Sequence, residues 1–359
     1  MNVLTVVILA FSFLGALDYI LGNKFGIGEE FKKAFSLFCP MVLSMLGMIV
    51  VAPQIGLWLT PLFDKFYSVF HIDPSIIPAS LFANDMGGMS IAQTVCKNEQ
   101  FGNFNAFVVS SMMGAVISYT IPFSIGMVKQ EQHYELFFGL LCGIVTVPVG
   151  CFVAGLVCGF NALELLFNLL PLIILSAIVG AALVLVPKIC IRCFSVFGFF
   201  MKVVSVIGLA CAVFTFLTKI EIFPKFDTFE NGAFICANAC VTLSGMLPFM
   251  YVVAKLLSKS LNRLGAKIGI NSISALSVLA CLVTNTTIFS VMDKMDKKGV
   301  VLNSAFAVSA AFVFGGHLAF TMAFDSSYVF PVIIGKLISG FCALALALIL
   351  YKTTSKENG

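Results

Sequence analysis

Phe82-Ala83-Asn84-Asp85-Met86-Gly87-Gly88 puts a carboxylate and two consecutive glycines in the middle of an apolar stretch running from about residue 75 to 95. In a water-soluble protein that heptad would read as a loop. The rest of the chain excludes solubility. Apolar residues make up 60% of the 359 and charged residues only 11%, and mean hydropathy is +1.06. A soluble domain carries roughly 25% charged residues, so a soluble fold of this length would lack a surface. A bilayer core about 30 Å thick is crossed by roughly 20 mostly apolar helical residues. Eleven stretches approach or meet that requirement: 3–21, 35–60, 75–95, 104–128, 136–158, 162–186, 194–218, 231–254, 270–291, 302–324 and 328–350. Long apolar runs interrupted by Gly and Pro argue for helices rather than the short alternating strands of a barrel. The expectation is an all-α, polytopic transmembrane bundle forming one domain over 1–359. The first run has no basic segment before it and no small-residue cleavage site after it, so it reads as a span and not a signal peptide.

The distribution of Lys and Arg then decides how the stretches run. Four clusters stand out: Lys24, Lys32 and Lys33; Lys188 and Arg192; Lys255, Lys259, Arg263 and Lys267; Lys352 and Lys356. Basic residues gather in cytoplasmic loops. If all eleven stretches crossed, the first cluster and the next two would lie on opposite faces. The conflict disappears if 75–95 and 270–291 are re-entrant or broken segments, leaving nine full crossings. All four clusters then lie inside and the N-terminus outside. These two segments also correspond in sequence. Ala83-Asn84-Asp85 aligns with Val283-Thr284-Asn285, and Asn105-Ala106-Phe107 with Ser304-Ala305-Phe306. The halves are about 1–158 and 194–350, joined by the span 162–186. With re-entrant segments the halves insert in opposite orientations, the inverted-repeat plan of many secondary transporters.

Ionisable residues inside a bilayer cost about 2.5–3.5 kcal/mol each on insertion scales, so each needs a reason. Asp18 and Glu164 lie near span ends and read as interfacially solvated. Lys202 can snorkel. Lys336 either snorkels or neutralises a buried carboxylate. Asp85 lies mid-segment, and Gly87-Gly88 after it weakens the helix and admits close approach to the backbone. It reads as a counter-ion for a solute; a folding salt bridge to Lys336 is the competing explanation. The matching segment carries Thr284-Asn285-Thr286-Thr287, hydrogen-bonding groups without charge. These read as solute ligands or as interhelical packing contacts. His317, in Phe314-Gly315-Gly316-His317-Leu318, reads either as a satisfied core histidine or as a titrating pocket residue. A carboxylate, amides and hydroxyls suit a substrate bearing an ammonium and a hydroxyl, and one or two of the 38 Phe can add cation–π contacts. Cys190-x-x-Cys193 has no second ligand pair, so no metal centre is expected there. No cofactor motif, no H-E-x-x-H zinc motif and no catalytic carboxylate pair accompanies Asp85, and the net charge of +4 needs no nucleic-acid partner.

Along most of its length the chain resembles the EutH family, the ethanolamine permeases of bacterial ethanolamine-utilisation operons. The resemblance is carried by Asp85-Met86-Gly87-Gly88, by Gly143-Ile144-Val145-Thr146-Val147-Pro148-Val149-Gly150-Cys151, and by a long run from Met295-Asp296-Lys297-Lys298-Gly299 to Ile334-Gly335-Lys336-Leu337-Ile338. It implies uptake of ethanolamine across the bacterial cytoplasmic membrane by a multi-pass protein in contact with lipid. One position departs from the pattern. The family often shows an acid before this histidine, where the chain has Gly316. That difference implies heavier reliance on Asp85, or a different affinity or substrate. The residues and the resemblance together lead to an ethanolamine transporter. Its site would be Asp85, with Asn84, Asn285 and Thr286 as polar partners, Gly87 and Gly88 as helix breakers and His317 beside them. An amine or ion channel using the same pocket is the alternative.

Overall fold

The computed structural model describes residues 3–357, and every element in it is helical. Seven helices are long and apolar enough to cross a membrane: Val3–Ile20, Ile27–Phe70, Glu99–Met127, Gln130–Val157, Pro187–Thr218, Phe229–Ile268 and Ser326–Lys352. An eighth span is the pair Ala162–Asn168 and Leu170–Leu185, bent by 48°. Pro171 lies in the first turn after that bend, where a missing N–H and a fixed φ are tolerated. The stretch 302–324, expected to cross unbroken, is divided. Lys297–Ala310 ends in extended backbone at Ala311, Phe312 takes a left-handed φ of 62°, and a new helix runs over Gly316–Phe324.

Segments 75–95 and 270–291 are both broken. The first is Ile76–Leu81, an extended Phe82–Ala83, a tight turn over Asn84–Met86, and Gly88–Val95. The second is Ser272–Cys281, a break at 282–285, and Thr286–Ser290. In each, the two ends meet. The Asp73 carboxylate accepts from the N–H groups of Lys97 (2.9 Å) and Asn98 (2.8 Å), as well as from Ser75 on its own side. The Asp296 carboxylate accepts from the N–H of Asn271 (2.9 Å), the hydroxyl of Ser274 (2.8 Å) and the N–H of Gly299 (3.1 Å). Each segment therefore goes in and comes back as a hairpin. A carboxylate accepting several N–H bonds satisfies helix-start donors that would otherwise be unpaired.

The second hairpin packs on Phe229–Ile268 and on Lys297–Ala310, and the latter belongs to a tightly packed group with His133–Val157 and Val329–Glu357. The first packs on a wide, π-type helix over Asn105–Gly114, every residue of which is buried. Two asparagines tie hairpin to scaffold. Asn105 donates to the Ser75 hydroxyl at 2.9 Å, and Asn303 donates to the Ser274 carbonyl at 2.9 Å.

Candidate functional site

Asp85 sits in the tight turn where the first hairpin reverses. Gly87 follows at φ +86°, a conformation that side chains with a Cβ rarely adopt, and a Cβ on Gly88 would lie 2.1 Å from the Phe82 carbonyl oxygen. The two glycines thus make the turn. They leave Asp85 partly exposed into a cavity of about 340 Å³. Across it stand Thr284 and Thr286 from the second hairpin, Tyr119, Phe312, and His317 with its neighbour Gly316. Met41, Met45, Met86 and Ser44 complete the walls, and Lys33 stands at the rim. A further cavity of about 330 Å³ shares Lys33, Leu247, Val283 and Thr284 and continues past Glu30, Tyr251 and Ser258. The route therefore leads toward the face bearing the basic clusters.

Of the residues expected from sequence, Asp85, Thr286 and His317 line one space. Asn84 and Asn285 are fully buried and do not. The Asn84 side-chain oxygen accepts from the Asp85 N–H (3.0 Å), and Asn285 donates to the Thr120 hydroxyl (3.2 Å). Their role here is to hold the two tips. One amide atom of each, Asn84 Nδ2 and Asn285 Oδ1, is buried without a hydrogen-bond partner among the described residues. Asp85 has no salt bridge within 4 Å among the described residues, which removes the direct Lys336 pairing. Nor does Lys336 snorkel: it is 1% exposed, and its Nζ donates to the Ser111 carbonyl (2.6 Å) and lies 3.3 Å from His317 Nδ1. Asp18, expected to be solvated, is buried instead, accepting from the N–H groups of Phe25 and Gly28.

Sequence reasoning missed Tyr119 and Phe312. Tyr119 Oη lies 3.3 Å from Thr286 Oγ1, bridging the two halves. Phe312 packs edge-on to Tyr119 (5.9 Å between centroids) and against the His317 ring (4.8 Å). Tyr119 did carry a signal, because Tyr119 and His317 are 198 residues apart, the same spacing that separates Asn105 from Asn303. The cavity thus offers an unpaired carboxylate, aromatic faces for a cation and hydroxyls for a polar group, without a cluster of metal ligands among the described residues.

Fold and site together define a multi-pass helical membrane protein built around a solute-sized cavity with mostly apolar walls and a few polar groups. The chain belongs to the EutH family: the family model described as "Ethanolamine utilisation protein, EutH" matches residues 1–350. It is 36% identical to a protein of Listeria monocytogenes named "Probable ethanolamine permease EutH", over 97% of this chain and 93% of that one. Proteins of the same name from Salmonella typhimurium and Escherichia coli are 31% and 32% identical, over 90% of this chain and 86% of theirs. No solved structure matches the chain. These relatives support a transporter role and a place in a bacterial membrane.

Proposed function

We propose that the protein carries ethanolamine across the membrane in its ammonium form, with Asp85 as the counter-ion. The observation that bears this reading is the Asp85 carboxylate, held at a helix break and facing a cavity without an ion-pair partner among the described residues. A carboxylate with no cation in contact in low dielectric is costly, and a cationic ligand bound directly to it relieves that cost. Tyr119 and Phe312 give the ammonium aromatic faces, and Thr284 and Thr286 give the hydroxyl hydrogen-bonding partners. Asn84, Asn285, Gly87 and Gly88 act one step back, shaping the two tips, and His317 borders the same space. The ethanolamine permease naming of the relatives supports this substrate. The test is uptake of ¹⁴C-ethanolamine into proteoliposomes with ion gradients varied one at a time. Saturable, exchange-accelerated, protein-dependent flux is expected. Flux that never saturates would instead indicate a channel.

A further inference from the structure

Lys336 is a buried cation that the proposed counter-ion role does not use. It extends from Val329–Glu357 into the space behind His317, where its Nζ donates to the Ser111 carbonyl of the wide helix and lies 3.3 Å from His317 Nδ1. His317 from Gly316–Phe324 is in contact with it, and the other titratable groups within electrostatic reach are the Cys151 thiol from His133–Val157, the Cys281 thiol from Ser272–Cys281, and Asp85 from the hairpin turn. A carbonyl and two thiols supply no charge. Asp85, on the cavity that His317 also lines, is the carboxylate within electrostatic reach of Lys336. It is the same carboxylate on which the ammonium reading above rests.

That sharing has a consequence. When a substrate cation reaches Asp85, the site contains two cations and one carboxylate, an uncompensated charge in a water-poor interior. Lys, unlike Arg, can shed its proton under such conditions, and the acceptor is already in contact. With Lys336 protonated, Nζ donates to Nδ1 and the neutral imidazole carries its hydrogen on Nε2. We propose that binding of the substrate ammonium at Asp85 expels the Lys336 proton through His317, so that one proton leaves for each substrate cation carried. The Nζ–H bond breaks with its electron pair remaining on nitrogen, and the proton adds to Nδ1. The Nε2–H proton then passes to water in the cavity, which His317 lines. After substrate release the steps reverse: a proton enters at Nε2, and the Nδ1 proton returns to Nζ.

The exchange moves no net charge. It is driven by a proton gradient and indifferent to voltage, and it is equivalent in energy to carrying the free base. Because the free base also crosses lipid unaided, every rate is scored against protein-free vesicles. The experiment pairs ¹⁴C-ethanolamine uptake with charge-movement recording on a solid-supported membrane and a pH dye in the lumen, using the full chain in proteoliposomes. The wild type is expected to show protein-dependent uptake, proton movement in the opposite direction and no sustained current. Lys336→Gln is expected to turn residual uptake into a cation current that inside-negative voltage accelerates, with the proton signal gone. A wild-type current of one charge per ethanolamine overturns the exchange while leaving the Asp85 reading intact, and it does so even if Lys336→Gln fails to fold. Lack of any protein-dependent uptake overturns the Asp85 reading first, and the exchange with it. Electroneutral, proton-linked uptake by a folded Lys336→Gln protein overturns the role of Lys336.

Discussion

Asp73 and Asp296 stand at opposite ends of otherwise matching closures. In the first hairpin the carboxylate is at the entry, and Asn98, which caps the outgoing helix, gives up its N–H to it. In the second hairpin Asn271 caps the entry, the carboxylate is at the exit, and the N–H runs the other way. Asp73 and Asn271 are 198 residues apart, as are Asn98 and Asp296 and as are Asn105 and Asn303, the asparagines that tie each hairpin to its scaffold. The tips diverge. The first presents a charge, Asp85, and is backed by the wide helix through Asn105–Gly114, with the Ser118 hydroxyl accepting from the Ala83 N–H (3.1 Å). The second presents only hydroxyls and amides, and the helix behind it is broken. The lesson is that the closures carry the architecture and the tips carry the chemistry, so the two can be damaged separately.

The sharpest break in the comparison concerns orientation. In a background without the twelve native free cysteines, a cysteine at exposed Gln100 should label from outside and one at exposed Lys297 from inside. Labelling of both from one face would make the halves parallel. The next largest effect separates the tips. Asp85→Asn should lower uptake efficiency by about 100-fold, the scale for removing one partner of a desolvated charge pair, while the protein inserts and purifies normally. Normal uptake would remove Asp85 as the counter-ion.

Third, Gly315→Ala places a Cβ 2.0 Å from the Val283 carbonyl oxygen, whereas a Cβ at position 316, the first atom of Gly316→Asp, meets nothing within 4 Å. The first should cost about 1–3 kcal/mol of stability, the range for forced overpacking, read as thermal unfolding in detergent. The second should fold and change the KM for ethanolamine instead. Fourth, Asp73→Asn should cost about 1–3 kcal/mol by leaving N–H groups unpaired, and adding Asn98→Asp should restore part of it by copying the other half's arrangement. No recovery would mean that the two closures are not interchangeable. The smallest effect is expected of Tyr119→Phe, which loses one neutral hydrogen bond of about 1 kcal/mol and should weaken apparent affinity by a few-fold at most.

Much of this was legible in the sequence because charge inside a membrane is expensive. The two broken segments followed from basic clusters that could not otherwise share a face, and Asp85 followed from being a mid-segment carboxylate beside Gly87-Gly88. What stayed hidden has physical causes. A polar residue at a break can face a cavity, satisfy local backbone or bond to a neighbouring helix; Thr286 does the first, Asn84 the second and Asn285 the third. The break at 311–315 falls in Ala311-Phe312-Val313-Phe314, where nothing polar announces it, and only Gly315-Gly316 marks its end. The Asp–Asn closures escaped notice because matching positions carry different residues, so a search for identical letters passes over them. Sequence leaves Lys336 open between snorkelling and neutralising a buried carboxylate, and it does neither by contact: its nearest partners are a carbonyl and an imidazole.

The backbone of that break is sewn to the second hairpin. The Phe312 N–H donates to the Cys281 carbonyl (3.2 Å) and the Phe314 N–H to the Leu282 carbonyl (2.8 Å). In water such bonds exchange readily with solvent. In a membrane interior no solvent replaces them, and each lost partner costs several kcal/mol. Mechanically, then, the hairpin tip, Phe312 and the start of the His317 helix form a single strut that resists being pulled apart. Any stroke that opens the cavity must carry that strut as one piece. Its pivots then lie at the strut's ends, where Gly269 already holds a left-handed φ of 73° and where Asp325 leaves the helix in extended backbone.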